Sequence, residues 1–77
     1  MHIVEIRRRG AELVAARAQM RTWFDYQRIE PSLFEIAFLP GREVRFCLQF
    51  KKAADAVMFA DDFDGQVLGA DAHVIAA

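Results

Sequence analysis

Between Leu33 and Phe50 the chain alternates with a period of two, breaks at Pro40-Gly41, and alternates again. Phe34, Ile36 and Phe38 share one side of the first run, with Glu35 and Ala37 on the other. In the second run Val44, Phe46, Leu48 and Phe50 oppose Glu43, Arg45, Cys47 and Gln49. Successive side chains of a strand point to opposite faces, so both runs describe strands with one covered face. Pro-Gly between them marks a turn, and the segment is predicted to be a β-hairpin over Leu33–Leu39 and Glu43–Phe50. A hairpin alone is not stable in water, so its apolar face requires cover from elsewhere in the chain.

Two helices are predicted to supply it. From Arg9 to about Ile29, at roughly 100° per residue, Leu13, Ala16, Met20, Trp23 and Phe24 fall on one arc. Arg17, Arg21 and Arg28 border that arc, Arg28 near the C-terminus where the helix dipole favours a cation. Glu30-Pro31 is expected to close the helix. Ala53–Phe63 reads as a shorter helix with Ala56, Phe59, Ala60 and Phe63 inward and Gly65 as its left-handed cap. His2–Ile6 reads as a strand in preference to a lead-in to the first helix, and Val67-Leu68 as a last short strand. Residues 69–77 are expected to form a frayed tail.

The predicted order is β-α-β-β-α-β within a single domain over 1–77. This is an α+β two-layer sandwich of ferredoxin-like type, with two helices on one face of an antiparallel sheet. Without the first strand, α-β-β-α-β remains. The core is expected to be Leu13, Met20, Phe34, Ile36, Phe38, Val44, Phe46, Leu48, Phe50, Phe59 and Phe63. Such an architecture carries no function by itself.

A chain of 77 residues buries only about 60–65% of its unfolded surface. Cys47 is its only cysteine, so no disulfide within the chain adds stability, and self-association would supply further burial. Apolar residues make up 55% of the chain, too many for disorder. No apolar run approaches the roughly 20 residues of a membrane span, and Met1–Gly10 does not read as a signal peptide. A cytoplasmic location is expected.

Charge is uneven. Residues 1–30 carry six Arg against four acids, and residues 31–52 carry four basic against two acidic residues, +2 in each case. Residues 53–77 carry five Asp and no Lys or Arg, −5. This polarity fits a nucleic-acid or protein partner, or two parts of one fold that attract each other. The latter reading predicts that Arg17, Arg21 or Arg28 pairs with Asp55 or Asp62 across the groove between the helices.

The phrase FKKAADAVMFADDFDG, Phe50 to Gly65, resembles small bacterial proteins of unassigned function. The resemblance covers packing residues in the second half of the chain and implies no activity.

The residue inventory does not favour catalysis. There is one Ser (Ser32), one Thr (Thr22), no Asn, and two His near the ends. Ser32 follows a proline at a helix exit, where a turn role suffices, and Cys47 has no base dyad beside it. His2, Cys47 and His73 lack metal-ligand spacing. Asp61-Asp62-Phe63-Asp64-Gly65 lacks the alternating acids and the downstream Glu of a calcium loop. No enzyme, metal or cofactor is expected.

Two binding readings follow. Arg17, Arg21, Arg28, Lys51 and Lys52 are candidates for an anion or nucleic-acid site, the lysines because they open the second helix. An RNA-recognition sheet needs exposed aromatics on its third strand, and here Arg45 and Cys47 occupy the stacking positions. The favoured reading is a homodimeric interaction protein. Its sheet face away from the helices would show Ile3, Glu5, Glu35, Ala37, Leu39, Arg45, Cys47 and Gln49, with Glu and Arg pairing across a two-fold axis.

Overall fold

The computed structural model describes residues 2–68; the expected tail, with Asp71 and His73, lies outside them. The described chain is α+β. Strands β1 (His2–Arg9), β2 (Leu33–Leu39), β3 (Glu43–Phe50) and β4 (Gln66–Val67) form one sheet in the order β2-β3-β1-β4. Every neighbouring pair is antiparallel. Helix α1 (Leu13–Gln27) joins β1 to β2, and α2 (Ala53–Phe63) joins β3 to β4.

The registers Val4↔Leu48, Ile6↔Phe46 and Ile36↔Phe46 place the even-numbered residues of three strands on one face. Both helices cover that face. Val4, Ile6, Val44, Phe46, Leu48 and Phe50 are buried in one cluster with Ala16, Met20 and Trp23 of α1 and Ala56, Phe59 and Ala60 of α2. Phe59 is its hub, with ring centroids 5.0 Å from Trp23, 5.5 Å from Phe24, 5.3 Å from Phe50 and 4.6 Å from Phe63. Aromatic pairs at these spacings add to area burial.

Several expectations need correction. The last strand covers Gln66–Val67 instead of Val67-Leu68. β1 does not stop at Ile6: alternation continues through Arg7, Arg8 and Arg9, paired with Arg45, Val44 and Glu43. The first helix consequently starts at Leu13 instead of Arg9, after a single 3₁₀ turn over Gly10–Glu12. That turn is anchored by Gly10 N–H donating to the Arg42 carbonyl (2.7 Å) and Arg9 N–H donating to Glu12 Oε1 (3.0 Å). At its other end α1 stops at Gln27, because Arg28 adopts a left-handed conformation (φ 56°) before Glu30-Pro31 is reached. The cap of α2 is Asp64 (φ 55°), not Gly65. Glycine is required at 65 for space: a Cβ would lie 2.6 Å from Ile6 Cγ1 and 3.1 Å from the Glu5 carbonyl oxygen.

The remaining corrections concern packing. Leu13, Phe34, Ile36 and Phe63 are only partly buried, packed against the core. Phe38 is 76% exposed instead of buried. It lies near the end of edge strand β2, on the helix side. No ion pair joins Arg17, Arg21 or Arg28 to Asp55 or Asp62 among the described residues. The side of α1 that meets α2 carries Trp23, whose Nε1–H donates to Asp62 Oδ2 (2.6 Å). Arg17 and Arg21 border the opposite side, toward β2.

Candidate functional site

The β1–β3 registers break up the arginine triplet Arg7-Arg8-Arg9. Arg8 points to the helix side and donates to the Phe63 carbonyl, meeting a free acceptor at the α2 C-terminus, where a cation is favourable. Arg7 points to the opposite, outer face with its Nε 3.5 Å from Glu5 Oε1. Arg45 NH1 lies 3.9 Å from Glu5 Oε2, so one carboxylate serves two guanidinium groups. Glu5 is the more sheltered partner, its side chain 19% exposed.

Among the described residues no helix covers this outer face, and pairing arranges it in rows. One row runs Gln66, Glu5, Cys47, Glu35, and the next runs Arg7, Arg45, Ala37. A third brings Ile3, Gln49 and Leu33 together. Glu35 is exposed, while Ala37, Arg45, Cys47 and Gln49 are half-buried, as are Ile3 and Leu39. The expected oligomer-face residues therefore share one surface. Arg7 and Leu33 also belong to it: Arg7 requires the full length of β1, and Leu33 follows from the odd-numbered alternation of β2. No aromatic ring stands on this face among the described residues, as the arrangement of Phe46 and Phe50 required.

The same rows set the chemistry of Cys47. Its thiol pKa is raised, first by burial and then by the Glu35 carboxylate, with Glu5 adding to the rise and Arg45 opposing it. The neutral thiol is thus favoured near pH 7, the reverse of what an activated nucleophile needs. Ser32 is exposed, and its backbone N–H donates to the Gln49 carbonyl (2.7 Å), a strand-end role. No three His, Cys, Asp or Glu side chains among the described residues are grouped to hold a metal ion. Among the described residues no helix is long and apolar enough to cross a membrane.

The basic candidates line three adjoining crevices that share Glu30 and Pro31. Arg17 and Arg21 rim a groove of about 520 Å³ between α1 and β2, over Phe24, Phe34 and Ile36. Arg21 and Arg28 line a second of about 570 Å³ with Asp25. Arg28, Lys51 and Lys52 line a third of about 400 Å³ that also holds Asp55. Comparison with known protein families, curated proteins and solved structures returned no match. Function is therefore read from the geometry of the chain itself.

That geometry includes a feature the hydrophobic pattern did not reveal. β2 is an edge strand of seven residues, six of them apolar, without an internal Pro or Lys and with one charge, Glu35. Lysine, proline or a bulge commonly blunts such an edge. Sequence alternation assigns side chains to faces, but it does not say which strand ends up outermost.

Proposed function

We propose that the chain is a small cytoplasmic interaction module of ferredoxin-like type that self-associates and performs no catalysis. The finer fold description is supported by the strand order β2-β3-β1-β4 and by the two helical crossovers, β1 to β2 and β3 to β4. One observation carries the functional reading. The side of the sheet without helices combines half-buried apolar groups (Ile3, Leu33, Ala37, Leu39, Cys47) with a sheltered Glu5–Arg45 pair, and it adjoins an unblunted edge. A surface of this composition gains by losing water to a partner. In sedimentation at micromolar concentration the chain is expected to run near twice its mass. A clean monomer at high concentration would remove the reading.

A second reading has its own observation: Arg17, Arg21, Arg28, Lys51 and Lys52 are all exposed and form no ion pair with Asp55 or Asp62. Exposed cations of this kind attract phosphates. Retention on generic DNA or RNA at low and moderate salt distinguishes the readings. The interaction module is expected to wash off at moderate salt, whereas retention that survives and is abolished by Arg21→Glu would favour nucleic-acid binding.

A further inference from the structure

The residues of β2 read Leu-Phe-Glu-Ile-Ala-Phe-Leu, the same in both directions about Ile36 except for Glu35 and Ala37. A strand that pairs antiparallel with its own copy about a two-fold axis through residue 36 meets itself in this order. Leu33 faces Leu39 of the second copy, Phe34 faces Phe38, Glu35 faces Ala37, and Ile36 faces Ile36. We propose that the open edge of β2 is the self-association site, and that its occupant is β2 of a second copy of this chain in this register, giving a continuous eight-stranded sheet. This rests on the self-association reading and specifies its site.

Three features of the protomer fit that occupant. The first is backbone geometry. Residues of like parity face each other in this register, so the outward N–H and C=O groups of one edge meet those of the other. The axis runs perpendicular to the sheet, so both pairs of helices lie on the same side.

The second is the groove. Phe34 lines it and belongs to a ring series, 6.0 Å from Phe24 and 6.1 Å from Phe46. Pairing places Phe38 of the second copy directly opposite Phe34, on the same face. The most exposed phenylalanine of each copy thus extends the ring series of the other, and the space between α1 and β2 is filled from both sides.

The third is charge, and it explains the break in the palindrome. A glutamate at 37 would face Glu35 of the second copy, twice per dimer. Alanine there removes the repulsion and leaves a low place in the row. Beyond Ala37 in that row stands Arg45. Glu35 of one copy and Arg45 of the other are then two strand spacings apart, about 10 Å between backbones, with only a methyl group between them. Their side chains are long enough to meet over it. Glu35 is exposed, and Arg45 is 40% exposed and meets Glu5 only at 3.9 Å, so its guanidinium can reach both carboxylates.

The test uses the full chain. Ile36→Cys in a Cys47→Ala background puts one thiol per copy on the axis, within disulfide range of its counterpart. Mild oxidation is expected to give a covalent dimer, while a thiol placed instead at Gln66 on the far edge gives none. Ala37→Glu, on the outer face where it disturbs no core contact, is expected to weaken dimerisation about 2- to 30-fold through two like-charge pairs. Circular dichroism should show its fold unchanged. A wild-type dimer that neither cross-links at position 36 nor responds to Ala37→Glu would overturn the edge assignment while leaving self-association through the outer face. A wild-type monomer at high concentration would overturn both, as would capture of the edge by unrelated extended peptides with no homodimer formed.

Discussion

Phe46→Ala is expected to lose about 3–5 kcal/mol of stability, the cost of emptying a fully buried phenylalanine site. Phe46 is central in every direction. It is fully buried, pairs with Ile6 on one side and Ile36 on the other, and meets Phe34 edge to face at 6.1 Å. At roughly 0.05–0.15 kcal/mol per residue, a chain of this length has about 4–12 kcal/mol in all, so the loss takes from a quarter to all of it and the variant is expected to unfold at much lower denaturant. Cys47→Ala, one position along the same strand but on the outer face, should change stability much less. Chemical denaturation of the two variants reads the difference. A Phe46→Ala protein with wild-type stability would mean that the covered face of the sheet has been misassigned.

Gly65→Ala is expected to cost about 1–3 kcal/mol, the range for forcing an extra carbon into a filled site. The reason is the contact and not the backbone, because the residue with positive φ at this helix end is Asp64. A Cβ at 65 would lie inside the contact distance of Ile6, itself fully buried against Phe46, and close to the Glu5 carbonyl. Neither neighbour can give way without disturbing the β1–β3 ladder. For a domain of this size each kcal/mol shifts the melting temperature by about 4–8 °C, so the effect is measurable by thermal unfolding. Gly41→Ala is the contrasting substitution, since nothing lies within 4 Å of a Cβ there and its cost comes from φ of 78°. A melting temperature unchanged by Gly65→Ala would show that Ile6 is free to move.

Much of this fold was legible in the sequence where two independent signals coincided. The hairpin strands and α2 have the predicted limits, because each couples a clear periodicity to a turn or a change of period at its end. The start of α1 was not legible. Arg7, Arg8 and Arg9 alternate between the sheet faces, but three arginines show no apolar alternation, and Ala11, Glu12 and Leu13 suit a helix as readily as a turn. Phe38 was misplaced for a different reason: alternation assigns it to the helix side, while its exposure depends on β2 being the edge strand and on where α1 lies. The same limit applied to the arginines. A helical wheel gives the angle between Arg21 and Trp23 but not which neighbour each side meets; the structure gives Trp23 to α2 and Arg21 to the β2 groove. The outer-face candidates were readable from parity alone, whereas the edge groove depends on strand order and required the assembled sheet.

If the open side of the sheet is closed by another copy of the chain, residue-resolved amide exchange of Leu33–Leu39 will depend on protein concentration. In the protomer, alternate β2 residues turn their N–H groups away from β3 toward water. These amides are expected to exchange quickly in dilute solution and become protected as the concentration rises, while the amides of β3, already paired on both sides, hold the same protection throughout. Exchange of the outward β2 amides that stays fast at every concentration would contradict closure by a second copy.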